Sequence, residues 1–426
     1  MSAHIEYLED KISSYIEKSL ENITPSRVVS DIPDGIVFVS NSERGKCITS
    51  DQEKRSSMLY EKVPFVLKTC SLESCSVSSV GSYILSTPST LNIVRLSWAD
   101  DKKPHHVLII KKKYNNDASK VLRVMIDWFN KQGIQVMVEP DVYKELQPCN
   151  VVTWKEEDRY NLSNLIDFVV TLGGDGTLLF ASLLFPKTVP PVISFHMGTL
   201  GFLTPFFADN FVPPLSQVVR GNVPLTVRSR LEYKIVRCLP RSTVRKSIDY
   251  FAEEEEGNEK PRPKILNDIV IDRGTASSMV ELNCYIDTDL ITTVHADGLI
   301  IATPTGSTAY SMSAGGSMVH PLTPGLLMTP ICPHTLSFRQ MLFPDSTVLR
   351  IEVSMDSRCT ASVSFDGQFK ETLNRGDALI IRTSKYPVPC VSPDDSNRDW
   401  FRSVREMLHW NKATSSFIPS QKQRTI

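Results

Sequence analysis

Between His106 and Phe195, short apolar runs alternate with stretches whose apolar residues recur at helical spacing. That alternation constrains the fold more than any other feature of the chain. Residues 107–110, 134–138, 167–172 and 191–195 read as buried strands. Val121, Val124, Met125, Trp128 and Phe129 make one face of a helix that Asp117 can cap and that ends near Gly133; 177–185 reads as another helix. Strands alternating with helices imply a parallel sheet covered on both faces. After about Arg220 strand-like stretches dominate, at 232–238, 265–272, 280–287, 290–294, 299–302, 347–354, 361–365 and 378–383. These predict a mainly antiparallel β domain.

The expected organisation has four parts. Residues 1–100 are a Ser-rich extension, partly disordered, and 101–220 an α/β nucleotide-binding domain with a parallel sheet and flanking helices. Residues 221–390 form an all-β domain, with an acidic loop inserted at 250–264. Residues 391–426 hold a helix candidate, 397–410, whose Trp400, Val404, Leu408 and Trp410 can return to cover a domain face, followed by a tail. A length of 426 residues suits two domains, since one core holds roughly 250–300.

Composition removes several classes of function. Lys+Arg is 47 against 48 for Asp+Glu, so no charge excess draws the chain to nucleic acid or an anionic membrane. No apolar run approaches the roughly 20 residues of a membrane span. Nine scattered cysteines without a CxxC pair favour neither a disulfide framework nor a zinc ribbon, and suit a reducing interior. Residues 1–23 read as an amphipathic docking helix through Ile5, Leu8, Ile12, Ile16 and Leu20. Its acidic residues count against an import signal, so a cytoplasmic location is expected, with a nuclear pool left open.

Chemistry concentrates in Gly173-Gly174-Asp175-Gly176-Thr177, directly after the apolar run 168–172. Open α/β sheets bind ligands at the carboxyl ends of their strands. Glycines there let backbone N–H groups approach phosphate oxygens, and Thr177 can open a helix whose N-terminus favours anions. A carboxylate among anion-seeking amides suits a water-linked metal ion or a proton acceptor for an attacking hydroxyl. A tight strand-to-helix turn with Asp175 as a local cap is the plainer alternative. The spacing is neither Walker A nor the GxGxxG fingerprint. Glycine loops of this type occur in NAD kinases, in diacylglycerol and sphingosine kinases and, in similar form, in 6-phosphofructokinases. A second stretch, 297–316, combines a strand, a Thr/Ser/Gly-rich turn and a helix of small residues. Hydroxyls at Thr303, Thr305, Ser307 and Thr308 suit the ribose and base edges of a nucleoside.

With Gly-x-x-Gly-Phe at 198–202, Asn267-Asp268, 330–334, 337–339 and 364–367, the chain resembles the NAD kinase family in its eukaryotic, ATP-dependent branch, over roughly 100–411. The resemblance implies the two-domain fold, with the site in the cleft between the domains. It implies phosphoryl transfer from ATP to the 2′-hydroxyl on the adenosine ribose of NAD(H), giving NADP(H). Asp175 would lie near that hydroxyl as general base, with Gly173, Gly174, Gly176 and Thr177 forming the phosphate loop. Phe202 would pack beside adenine, while Asn267 and Asp268 would bond substrate hydroxyls and adenine edges. Thr305, Thr308, Ala309 and Ser313 would line the dinucleotide site, Asp297 would contact the nicotinamide side, and Tyr310 would reach a neighbouring subunit. Asp268 departs from the commoner Glu and is one methylene shorter.

The resemblance also implies Mg²⁺ or Mn²⁺ carried on the ATP phosphates, with Asp175 able to anchor it through water. It further implies a homo-oligomer, a dimer or a tetramer. NAD and ATP are then the small-molecule partners. A lipid kinase sharing the glycine loop, and an inactive nucleotide-sensing regulator, are the other readings. His105-His106 reads as a surface pair and Cys332-Pro333-His334 as a turn.

Overall fold

In the computed structural model the apolar runs of the first half become the strands of one mixed sheet. Described residues are 65–70, 75–79, 93–99, 102–146, 149–237, 251, 262–394 and 398–409, all within one unit, Glu61–Ile426. The expected N-terminal helix, most of the acidic loop and Trp410 lie outside them. The chain opens with β1 (Phe65–Cys70), β2 (Cys75–Ser79), β3 (Ile93–Trp98) and β4 (His106–Lys111). Next come α1 (Asn116–Lys131), β5 (Gln135–Val138), α2 (Pro140–Glu145), α3 (Leu162–Leu165) and β6 (Phe168–Leu172). Then follow α4 (Asp175–Leu183), β7 (Val192–His196), β8 (Phe206–Phe207), α5 (Val212–Arg220) and β9 (Val223–Arg228).

Strands β7, β6, β4 and β5 lie parallel and adjacent, and every residue of β4, β6 and β7 is buried. Burial on both faces explains why they read as unbroken apolar runs. Helix α1 covers the sheet with Leu122, Met125, Ile126, Trp128 and Phe129. Its cap is Asn115, whose side chain accepts the Ala118 N–H at 2.8 Å; Asp117, the expected cap, falls in the first turn. Asn and Asp cap equally well, so the tertiary contacts of the apolar stripe decide which one takes the position. Gly133 (φ +73°) sits just past the C-terminal end, where the left-handed conformation favours glycine.

Two expectations about this domain change. Residues 65–98 are not only a loose extension: β1, β2 and β3 form antiparallel strands at the sheet edge, and β3 pairs with β9. Trp98 is buried there and donates its indole N–H to the Val218 carbonyl at 2.8 Å. Short strands in a Ser-rich context carry too little periodicity to be read locally. The α/β sheet also takes β9 and the late strand β21 (Val388–Val391), both from the segment assigned to the β domain. Strand β21 is antiparallel to β9 and meets β7 in parallel at Cys390 and Val192.

Between these two strands lies the β domain. It comprises β10 (Leu231–Val236), β11 (Asp268–Asp272), β12 (Val280–Ile286), β13 (Asp289–Ala296) and β14 (Gly298–Ala302). A one-turn helix, α6 (Tyr310–Ser313), precedes β15 (Leu326–Ile331), β16 (Met341–Phe343) and β17 (Leu349–Val353). Strands β18 (Ala361–Phe365), β19 (Phe369–Leu373) and β20 (Ala378–Thr383) complete it. Two antiparallel sheets result, β10-β20-β17-β12-β13 and β16-β15-β14-β11-β18-β19. Their shared core includes Ile271, Leu299, Ile301 and Val363 from one sheet and Leu282, Ile351, Leu379 and Ile381 from the other. Strand β15 was not expected, because Pro330 argues against an inner strand. It is tolerated because β16 pairs only with 326–328, which leaves Pro330 beyond it.

Arg230 joins the two domains. Its buried guanidinium donates to the carbonyls of Ser182 (3.1 Å), Phe185 (2.7 Å), Lys187 (2.7 Å) and Tyr386 (2.6 Å). The first three carbonyls lie at or just past the C-terminal end of α4, where the helix dipole favours a cation. Replacing Arg230 with Leu strands these carbonyls without partners. Urea unfolding is expected to show a loss of about 3–5 kcal/mol; a loss below about 1 kcal/mol would mean that water substitutes for the guanidinium.

Candidate active site

The glycine loop follows β6 and opens α4. Gly173 donates its N–H to the Phe195 carbonyl at 2.9 Å, and an added Cβ there would collide with the Thr177 hydroxyl. Gly174 and Gly176 face open space and are exposed, and no side chain caps α4. The Thr177 N–H donates to the Gly174 carbonyl at 2.9 Å, which leaves the Asp175 and Gly176 amides available to an anion. Lys112 stands beside this loop, its backbone N–H bonded to the Leu172 carbonyl at 2.7 Å. Lys111 pairs with Glu145 (3.0 Å) and Lys113 with Glu139 (3.9 Å), whereas exposed Lys112 pairs with no described carboxylate. No local pattern distinguishes it within Lys111-Lys112-Lys113.

Asp175 is the first residue of α4, half-buried, with its carboxylate turned to the loop between β7 and β8. It accepts the N–H of Phe202 (3.0 Å) and of Leu203 (3.1 Å) and the Thr204 hydroxyl (3.3 Å). An added Cβ at Gly201 would strike this carboxylate, which accounts for the second glycine of the Gly-x-x-Gly-Phe stretch. Phe202 is partly buried against the α/β core. His196, at the end of β7, lies 3.0 Å from the Gly198 carbonyl through Nδ1, and burial lowers its pKa. The C-terminal helix, α7 (Arg398–Met407), closes over this loop: Ser403 donates to the Gly201 carbonyl (3.1 Å) and Arg402 to that of Pro205 (3.2 Å).

The second wall is built around Asn267 and Asp268. Asp366, in the Asp-Gly turn between β18 and β19, accepts the N–H groups of Leu266 (2.9 Å), Asn267 (2.8 Å) and Asp268 (3.2 Å). Positive φ at Asp366 and Gly367 (46° and 68°) suits an Asp-Gly turn. Asp268 is buried, and its pKa is pushed up to about 7, first by burial and then by Asp366. The Asn267 side-chain amide bonds no described residue and is half-buried.

The turn after β14 packs on this pair. Thr303 donates its N–H to the Asn267 carbonyl (2.9 Å) and its hydroxyl to that of Leu266 (2.6 Å), while a Cβ on Gly306 would collide with Asn267. Thr303 and Ser307 are wholly buried, and the Ser307 hydroxyl bonds Pro304 and Val319. These two hydroxyls therefore hold the turn and do not face a ligand. Thr305 is also buried, with Arg228 at 3.4 Å from its hydroxyl, and Thr308 bonds the Thr305 carbonyl at 3.3 Å. The expected helix of small residues is a 3-10 turn, Thr305–Thr308, followed by α6 alone.

Ala309 is half-buried and Ser313 exposed. Tyr310 is 46% exposed, and its pKa is raised by burial and by the charges of Asp272, Cys332, Asp268 and Asp297. Asp297 is bound by Arg273 at 2.7 Å. Hydrogen bonds link several of the expected residues: Asp175 bonds the Phe202 backbone, Arg228 lies between the Phe202 carbonyl and the Thr305 hydroxyl, and Thr303 bonds the Asn267 carbonyl. Thr204, Arg228 and Lys112 were missed in the sequence, and Asp366 entered only as part of a motif.

Among the described residues no three His, Cys, Asp or Glu side chains converge as a metal cage. His106 is buried at the start of β4 and is not a surface residue; with His105 it donates its backbone N–H to Asp167. Cys332 adopts positive φ (46°), as a turn residue.

A bare glycine loop at a strand–helix turn, a carboxylate in that loop bonded to the Phe202 segment, and an Asn-Asp pair pinned by Asp366 define a two-domain protein of the nucleotide-phosphate-binding class. Residues 107–223 match the ATP-NAD kinase N-terminal domain and 266–392 the ATP-NAD kinase C-terminal domain. The chain therefore belongs to the NAD kinase family. It is 42% identical over 325 residues to the rice protein "Probable NAD kinase 1", covering 75% of this chain and 58% of that one. It is 43% identical over 266 residues to the NAD(+) kinase of Saccharomyces cerevisiae, covering 61% and 48%. The chain thus spans about half to three fifths of these relatives. The crystal structure of yeast NADH kinase complexed with NADH superposes with a TM-score of 0.67 at 30% identity, covering 85% of this chain and 98% of that one.

The Asp268 carboxyl yields a pH prediction. Its pKa is about 7 in the fold and near 3.8 when unfolded, so the folded state holds the proton longer. Its contribution to stability is full below about pH 4 and is lost as pH rises through about 7. Asp268→Asn cannot ionise, so its urea midpoint is expected to fall less between pH 5 and pH 8 than that of the wild type. Equal falls in both proteins would refute the buried-carboxyl account.

Proposed function

We propose that this protein is an ATP-dependent NAD kinase that phosphorylates the 2′-hydroxyl on the adenosine ribose of NAD(H) to give NADP(H). The observation that carries the reading is Asp175. It stands where open glycine amides can receive phosphates, and its carboxylate is bonded to the loop that bears Phe202. The family match and the names of the relatives support the same activity.

In phosphoryl transfer the transition state is loose, so positioning and charge stabilisation outweigh base strength. Gly174, Gly176 and the first turn of α4 receive the donor phosphates, and Lys112 adds positive charge beside them. Asp175 orients the ribose hydroxyl and accepts its proton; the N–H bonds from 202 and 203 hold the carboxylate in place for this role. The Asn267 amide and the Asp268 carboxyl meet the hydroxyls and adenine edges of the acceptor, with Phe202 beside the ring. Thr305, Thr308, Ala309 and Ser313 border the rest of the dinucleotide, and Asp297 its nicotinamide side. Mg²⁺ or Mn²⁺ carried on ATP would offset phosphate charge. Asp175 is the loop carboxylate that could hold the ion through water. A dimer or tetramer belongs to the same proposal, with exposed Tyr310 reaching a neighbouring subunit; sedimentation measures it directly.

The test is incubation with ATP, Mg²⁺ and, in parallel, NAD, NADH or diacylglycerol. NADP or NADPH is the expected product, and failure to form either overturns the reading. Asp175→Asn is expected to lower kcat by about 10²-fold or more, the range of a general base. Turnover within about tenfold of wild type would reject that role for the carboxylate.

A further inference from the structure

We propose that Arg228 is a positioning residue that holds together the two loops receiving the dinucleotide, and that the dinucleotide's phosphates balance its buried charge. The inference rests on the NAD kinase reading and adds to it a residue that no motif marks. Arg228 ends β9 and is 3% exposed. Its two terminal nitrogens reach the Thr305 hydroxyl at 3.4 Å and the Phe202 carbonyl at 3.5 Å, both at the outer limit of a hydrogen bond. Its Nε, also buried, has no partner. No described carboxylate pairs with it, and it also interacts with the Cys390 thiol on β21.

The contrast with Arg230 is instructive. Two residues further on, that guanidinium is satisfied by four backbone carbonyls. Arg228 lacks such partners, and a buried cation without a counter-charge carries a desolvation cost that its weak bonds do not offset. The two groups it touches belong to different domains: Phe202 follows β7 in the α/β domain, and Thr305 follows β14 in the β domain. Arg228 sits on the strand from which the chain crosses between those domains, so one planar fork sets the spacing of both loops. A dinucleotide carries two pyrophosphate charges into this cleft, where water and salt screen poorly. Bound phosphate thus supplies the negative charge that the folded chain does not.

The test compares Arg228→Met and Arg228→Lys in the full chain, after wild-type turnover of NAD has been measured. Four quantities are read: the Tm without ligand, the Kd for NAD without ATP, kcat, and the KM for ATP. Arg228→Met is expected to match or exceed the wild-type Tm, because replacing an uncompensated buried ion with an apolar side chain is neutral or stabilising. Its NAD affinity is expected to weaken by about tenfold or more, with the KM for ATP within about twofold. Arg228→Lys keeps the charge without the fork. It should restore NAD affinity to within about threefold while kcat stays about tenfold low.

An Arg228→Met protein that fails to fold, or that loses Tm while binding NAD as the wild type does, overturns the inference. Equal loss of affinity in both variants overturns the role of the charge. Wild-type protein that makes no NADP refutes the kinase reading instead, and that result is in hand before any variant is measured.

Discussion

Backbone N–H groups in tight loops must be bonded once water is excluded, and in this protein buried or half-buried carboxylates take that role. Asp167 receives the N–H groups of His105 and His106, Asp175 those of Phe202 and Leu203, and Asp366 those of Leu266, Asn267 and Asp268. Each carboxylate pins a loop at the end of a strand. Two of the three loops carry the residues proposed to meet the nucleotide. The glycine loop's own carboxylate, Asp175, holds the 202–204 loop, and Asp366 holds the 266–268 segment.

That arrangement places negative charge beside the glycine loop, where the proposed nucleotide would bring more. Asp366 lies in the field of Arg230, and burial still leaves its pKa raised. Asp268 is pushed up to about 7, first by burial and then by the neighbouring Asp366 carboxylate. In its protonated form, which dominates below about pH 7, that carboxyl can donate as well as accept a hydrogen bond, which would suit the sugar hydroxyls and adenine edges of the proposed acceptor. In the proposed site the open glycine amides and Lys112 would supply the positive potential.

Hydroxyl-rich sequence has two meanings in this chain. Thr303, Ser307 and Ser311 are buried, and their hydroxyls bond backbone carbonyls or, for Ser311, the Thr329 hydroxyl at 2.9 Å. They make the turn after β14 rigid enough for Gly306 to lie against the Asn267 backbone. Thr308 and Ser313 are more exposed, and these are the hydroxyls the proposed function assigns to the dinucleotide. Composition could not separate the two sets, since the distinction depends on which hydroxyls the β sandwich encloses.

The order of strands and helices from 106 to 196, the bare turn at 173–177, the β character after 220 and the family were all legible in the chain itself. Each rests on periodicity or on a short contiguous motif, which neighbouring residues express without outside help. What the tertiary structure decided involves partners far apart: Asp175 with Phe202 across 27 residues, Arg228 with Thr305 across 77, Asp366 with Leu266 across 100. The return of β21 to the first sheet and the edge strands from 65 to 98 belong to the same class. A side chain's chemistry limits the partners it can take, but only the closed fold selects among them, because burial removes the water that would otherwise satisfy every one.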